Sequence, residues 1–166
     1  DSRCLPTDYV AEVDRVVQSL ASVRDFQASA RYLIQNGRQN ESKIFNNAGV
    51  SDHFAIIPTG QRKATLTGDD QKLYDLVARR FLAAFFPQAV WEQVDRKTVV
   101  GAHHFQSRSR TLKEPGWRSV MNQTADEEGS QPLPALDADP ASVAAVDVQA
   151  EADATKPPPR ITEARL

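Results

Sequence analysis

Val10, Val13, Val17 and Leu20 recur at intervals of three and four, which places them on one face of a helix. Pro6-Thr7-Asp8 precedes them, and either Thr7 or Asp8 is suited to cap the helix start. A second helix is expected from about Asp25 to Asn36, with Phe26, Ala30 and Leu33 as its apolar stripe. Gly37 suits the left-handed position that ends it. Residues 38–49 are polar and read as a loop. Phe54-Ala-Ile-Ile57 is a short apolar run ended by Pro58-Thr-Gly60, which reads as an extended segment. The strongest helical pattern follows. Asp69 and Asp70 open it on the favourable end of the helix dipole, and Leu73, Leu76, Val77, Phe81 and Ala84 form the expected buried stripe. Pro87 stops it.

Beyond Pro87 the period changes to two. Val90, Glu92 and Val94 begin an alternation that resumes from His103 to Leu112, predicting a β-hairpin. Its turn falls near Gly101-Ala102, with Arg96-Lys97 as the alternative. Glu114-Pro-Gly116 is a turn signal, and Val143, Val146 and Val148 suggest one more strand. Pro157-Pro-Pro159 is a stiff connector leading into a helix start at Thr162. The fold class is therefore α+β, with a helical block over residues 1–88, a β-rich block over 89–156 and a connector over 157–166.

Composition narrows the function classes. The chain has 166 residues, of which 40% are hydrophobic, enough for a core but not from every segment. No apolar run is long enough for a membrane-spanning helix, so no membrane partner is expected. Cys4 is the single cysteine, which excludes an internal disulfide framework and a cysteine-based zinc site. A reducing, cytoplasmic location is expected. Residues 1–118 carry a net charge of +4 and residues 119–166 carry −6. The basic part suits either a polyanionic partner or an ordinary solvated surface. The acidic stretch near 124–156 has few large apolar groups, and we expect it to be flexible in part. His103 and His104 are adjacent on a strand and project to opposite faces, so no metal site is expected from them. An opening Asp and a closing Ile161–Leu166 that reads as an unfinished helix lead us to expect an internal segment of a longer protein.

Five segments, in order, carry a family resemblance. Asp1-Ser-Arg-Cys-Leu-Pro6 is similar to the Asp-Ser-Arg-Tyr-Leu-Pro that follows the catalytic Tyr-Pro-Arg-Thr of type IA DNA topoisomerases. Ser51-Asp-His-Phe-Ala-Ile-Ile-Pro-Thr-Gly60 resembles their His-x-Ala-Ile-x-Pro-Thr segment, and Leu73-Tyr-Asp-Leu-Val-Ala-Arg-Arg-Phe-Leu82 the helix after it. Leu112-Lys-Glu-Pro-Gly-Trp117 resembles a turn of the topoisomerase III branch. Pro157-Pro-Pro-Arg-Ile-Thr-Glu-Ala-Arg-Leu166 resembles Pro-Pro-x-Arg-Tyr-Thr-Glu-Ala-x-Leu.

The resemblance implies a toroidal enzyme. Residues 1–88 would be the later part of the catalytic-tyrosine domain, 89–156 part of its β-rich arch, and 157–166 the start of the next DNA-binding helical domain. A tyrosine would cleave one DNA strand through a 5′-phosphotyrosyl intermediate, pass a strand and religate. The substrate would be single-stranded or negatively supercoiled DNA, and the location nucleoid-associated if the source is bacterial. By the family pattern the tyrosine lies four positions before Asp1, and Mg²⁺ is bound by acidic residues upstream, so the 166-residue chain alone is expected to be inactive.

His53 matches the family's motif histidine, which contacts the scissile phosphate; an imidazole bonded to loop backbone is the plain alternative. Asp1 and Arg3 would lie near the nucleophile, with Arg3 either on phosphate or simply on the surface. Arg160 and Thr162 are candidate DNA-backbone contacts, although Thr162 equally suits simple helix capping. Phe54, Ile161 and Cys4 depart from the family pattern. The rival readings are a non-catalytic single-stranded DNA-binding module of topoisomerase descent, and an interaction domain built on the acidic tail.

Overall fold

A computed structural model describes residues 2–61, 66–123, 132–138, 141–142, 144, 149, 152–155 and 157–158. The chain divides into two units, Asp1–Leu133 and Pro134–Leu166. The described residues of the second unit contain no helix or strand. The expected strand at Val143, Val146 and Val148, and the helix start at Thr162, lie outside the described residues.

In the first unit a 3₁₀ turn at Thr7–Tyr9 leads into α1 (Val10–Leu20), followed by α2 (Gln27–Asn36), α3 (Glu41–Ile44) and α4 (Gly68–Ala84). Three of the four expected α1 stripe positions are buried, and Val16 takes the place of Val10. Val13, Val16, Val17 and Leu20 are buried, and Val10 is exposed because the 3₁₀ turn occupies the capping position. Neither Thr7 nor Asp8 caps the helix with its side chain. α2 buries Ala30 and Leu33, with Phe26 buried just before it, and Gly37 ends it at φ 79°. The segment read as a loop over 38–49 instead contains α3 and a 3₁₀ turn at Asn47–Gly49. Its polar composition hid two elements too short to show a period.

α4 corrects the sequence reading most clearly. Leu73 is 62% and Leu76 49% exposed, and Ala84 is exposed, whereas Ala78, Phe81, Leu82 and Ala83 are buried. The buried face runs through Tyr74, Ala78, Phe81 and Leu82 into Phe85 and Phe86, and Tyr74 meets Phe26 at a ring separation of 6.2 Å. The small Ala78 side chain allows this face to approach the core, so size at the contact prevails over hydropathy along the helix. Phe81 and Phe85 pack edge to face at 5.5 Å, within a core completed by Leu5 and Val120.

Arg38 ties this core to the surface. Its side chain is only 14% exposed, with its guanidinium 6.0 Å from each of the Phe45 and Phe85 rings. It donates to Asp14 of α1 and, at 2.7 Å, to Glu41 of α3. Arg79 of α4 lies over Phe26 at 5.6 Å and donates to the Val120 carbonyl at 3.0 Å. It thereby holds the segment after the hairpin against α4.

The hairpin itself follows the sequence. β1 (Val90–Val100) pairs antiparallel with β2 (His103–Glu114), turning at Gly101-Ala102, with a bulge between Val90 and Trp91. These strands are about twice the usual length of 5–6 residues, and a lone two-stranded ribbon is marginal in water. Cross-strand ion pairs reinforce it, Asp95 with Arg108 at 2.6 Å and Glu92 with Lys113 at 2.9 Å. Trp117 closes the foot, its N–H donating to the Pro87 carbonyl at 2.9 Å.

The Asp95 carboxyl is held below the usual carboxylate range, chiefly by its hydrogen bond from Arg108 and then by that from Gln93. Because the folded value is the depressed one, this support for the hairpin is full above the ordinary carboxylate pKa of about 4 and is lost as pH falls through the folded value. Carboxyl-carbon NMR titration is expected to show Asp95 titrating below the other aspartates, and Arg108→Ala is expected to raise it toward the ordinary range. An unchanged midpoint in that variant would remove the ion pair from the account.

Candidate functional site

The amino-terminal segment runs between two loops. Leu5 forms a parallel bridge with Phe45, donating to the Ile44 carbonyl at 2.7 Å and accepting from the Asn46 N–H at 3.0 Å. On the other side, the Ala55 N–H donates to the Cys4 carbonyl at 2.9 Å. That single bond joins the two sequence motifs, because His53 lies two positions before Ala55 and Arg3 one before Cys4.

The Asn-Asn-Ala-Gly turn holds the segment in place. The Asn46 side chain accepts from the Ala48 N–H, fixing the turn at 3.1 Å. The Asn47 amide accepts from the Thr7 N–H at 2.9 Å and donates to the Thr7 hydroxyl at 3.1 Å. The Ser2 hydroxyl donates to the Gly49 carbonyl and accepts from the Cys4 N–H. A Cβ on Gly49 would stand 2.6 Å from the Cys4 sulfur, so the turn and the segment touch with no room for a side chain. The sequence reading missed Ser2, Asn46, Asn47 and Gly49. The paired asparagines before a glycine were the available signal.

A second anchor fixes the His53 loop from below. The Phe54 ring packs on Tyr9 at 4.7 Å, and Arg15 of α1 donates to the Thr59 carbonyl at 3.0 Å while paired with Glu12. Arg15 holds the Glu12 carboxyl below its ordinary range, mainly by hydrogen bonding. Residues 54–59 form neither helix nor strand among the described residues.

His53 and Arg3 are both exposed, and among the described residues neither side chain has a hydrogen-bond or ion-pair partner. The His53 imidazole thus makes no hydrogen bond to the loop backbone in this structure. Asp1, Arg160 and Thr162 lie outside the described residues. The three tyrosines are engaged in packing: Tyr9 on Phe54, Tyr32 on Phe86 at 4.8 Å, and Tyr74 near Phe26. Among the described residues no three His, Cys, Asp or Glu side chains converge on a metal position. Among the described residues no helix is long and apolar enough to cross a membrane.

The arrangement presents one imidazole and one guanidinium to solvent on two segments fastened to each other. Two such donors suit an anionic group such as a phosphodiester.

Comparison with known sequences gives a match to one family, described as DNA topoisomerase, over residues 1–166. The chain is similar to DNA topoisomerase 3 of Bacillus licheniformis, 34% identical over 174 aligned positions that cover 100% of this chain and 23% of the relative. It is 30% identical to DNA topoisomerase 3 of Bacillus subtilis over 173 positions, covering 100% of this chain and 24% of the relative. The Bacillus cereus protein of the same name gives 30% over 174 positions, with the same coverage. The chain thus spans about a quarter of the length of the curated relatives it matches.

Proposed function

The chain belongs to the type IA DNA topoisomerase family, and on that premise we propose that it is the segment following the nucleophilic tyrosine in an enzyme of the topoisomerase III kind. The observation that carries this reading is the Ala55-to-Cys4 hydrogen bond, which sets the post-tyrosine motif beside the histidine motif. Residues 1–88 then complete the nucleophile domain, 89–156 contribute to the β-rich arch, and 157–166 enter the next DNA-binding domain through Arg160 and Thr162.

The reaction is a reversible transesterification. A tyrosine oxygen attacks the phosphorus, a phosphotyrosyl bond forms at the 5′ side, and the P–O3′ bond breaks to release a 3′-hydroxyl that takes up a proton. The covalent intermediate keeps the phosphoester bond for religation after strand passage. An unperturbed phenol titrates near pH 10, so cationic donors around it favour the attacking form. In this reading Arg3 and His53 hold the phosphate: Arg3 supplies a fixed charge and a forked donor, and His53 a donor aimed at the oxygen that gains charge as the phosphorus is attacked. Mg²⁺, which supplies charge neutralisation in this chemistry, would be held by residues outside this chain. DNA is the substrate, and the enzyme works in the cytoplasm on the nucleoid.

The test is relaxation of negatively supercoiled plasmid with Mg²⁺. The full-length protein is expected to relax it without ATP. The 166-residue chain, whose tyrosines are all in packing contacts, is expected to leave the plasmid supercoiled. Relaxation by the 166-residue chain would overturn the assignment of the nucleophile, and an inactive full-length protein would overturn the enzymatic reading.

A further inference from the structure

The backbone bends at Arg3, and the Ser2 hydroxyl makes the bend. Its oxygen accepts from the Cys4 N–H at 2.9 Å, which closes a side-chain turn with Arg3 at the apex. Its proton goes to the Gly49 carbonyl, 47 positions away in sequence. One hydroxyl therefore shapes the turn and fastens it to a distant segment. Arg3 itself is exposed, with no hydrogen-bond or ion-pair partner among the described residues.

The carbonyl that receives Ser2 is held in turn. The Gly49 N–H donates to the Asn46 carbonyl at 3.0 Å, and the Val50 N–H to the Asn47 carbonyl at 3.2 Å. Gly49 has no positive φ, so proximity rather than backbone conformation calls for a glycine there. A Cβ on it would stand 2.6 Å from the Cys4 sulfur and 3.3 Å from the Cys4 Cβ. The turn thus lies against the residues on both sides of Arg3.

The other anchors of this segment start at Cys4. The Cys4 carbonyl accepts from Ala55, Leu5 is bonded to Ile44 and Asn46, and Thr7 to Asn47. Among the described residues, the bonds that fix the backbone ahead of Cys4 are the two made by the Ser2 hydroxyl. An arginine side chain is long and rich in rotamers, so a fixed backbone narrows the space its guanidinium searches.

We propose that Ser2 is a positioning residue, whose hydroxyl directs Arg3 toward the reacting phosphodiester. This rests on the proposed function, in which Arg3 holds that phosphate, and names the group through which the placement is made. Ser2 acts through Arg3 and does not touch the phosphate, because both of its hydrogen bonds are spent within the protein.

The experiment is a double-mutant cycle on the full-length protein, read as the rate of single-turnover cleavage of a single-stranded oligonucleotide. Arg3→Ala is expected to slow cleavage about a hundredfold, as loss of a well-placed donor does. Ser2→Ala leaves the guanidinium present but undirected, and is expected to slow it about tenfold with oligonucleotide affinity unchanged. In the Arg3→Ala background, Ser2→Ala is expected to add less than twofold. Ser2→Thr keeps the hydroxyl and is expected to restore most of the rate. The fold is expected to survive in every variant, since the anchors from Cys4 onward remain, and equal melting temperatures check this. An equal tenfold loss in both backgrounds would show a merely structural hydroxyl and overturn the proposal. So would a parental rate in Ser2→Ala or in Arg3→Ala. A parent protein that cleaves nothing overturns the proposed function and this role together, whereas a cleaving parent indifferent to Ser2→Ala overturns this role alone.

Discussion

Gly116→Ala is expected to lower the stability of the unit spanning residues 1–133 by about 3 kcal/mol, among the larger effects of single substitutions. Two costs add. Gly116 has φ 49°, where a Cβ meets its own backbone at about 1–2 kcal/mol. An added Cβ would also stand 2.5 Å from both the Pro87 and Gln88 carbonyl oxygens. Those atoms are main chain at the start of the hairpin, so they cannot rotate away as a side chain would. Relief requires the foot of the hairpin to open, breaking the Trp117 N–H bond to Pro87 and drawing Val120 out of the core. Gly101 in the hairpin turn is the comparator, with φ 59° and nothing within 4 Å of its Cβ position. Gly101→Ala carries the backbone cost alone. Thermal melts followed by near-ultraviolet circular dichroism are expected to show a midpoint lower by about 10 °C for Gly116→Ala and by a few degrees for Gly101→Ala. Equal shifts would mean that the close approach to Pro87 and Gln88 contributes nothing.

The same junction shows where the sequence was legible. The hairpin was readable because alternation over long strands, a glycine at its turn and Pro-Gly at its end agree with one another. The three long helices were readable in place, whereas the four-residue α3 was not. Which face each buries was not, because a helical stripe such as Leu73, Leu76 and Val77 states only that one side is apolar. The buried side is the one that carries Tyr74 and Ala78, and it is set by a partner far away in sequence, since Tyr74 and Arg79 both meet Phe26. Arg38 and Arg79 illustrate the same limit for charge: nothing in the sequence marks either, and their partners, rings and carboxylates for Arg38 and a ring and a carbonyl for Arg79, come largely from other segments. At the candidate site the motifs were visible, but not the Asn46–Gly49 turn that clamps them. Turns of this kind act through side chain to backbone bonds and leave no periodicity.

His53→Ala is expected to slow plasmid relaxation by the full-length protein by about a hundredfold, the effect of removing one well-placed donor from a developing oxyanion. The size follows from what the donor faces. A phosphate oxygen that gains charge in a site closed by DNA is stabilised far more strongly than the same oxygen in water. Oligonucleotide affinity is expected to change little, because ground-state binding is spread over many phosphates and only the reacting one gains charge at the imidazole. Folding is expected to be spared, within about 0.5 kcal/mol, since His53 is exposed and has no hydrogen-bond partner among the described residues. The loop that carries it stays fastened through Ala55 to Cys4 and through Phe54 to Tyr9. This separates the two accounts of the residue. A histidine that merely finishes a loop would, on replacement, shift the melting temperature and leave the rate alone. A phosphate donor does the reverse, lowering the rate of single-turnover cleavage at unchanged melting temperature and unchanged affinity. Relaxation within twofold of the parent enzyme would remove His53 from the site.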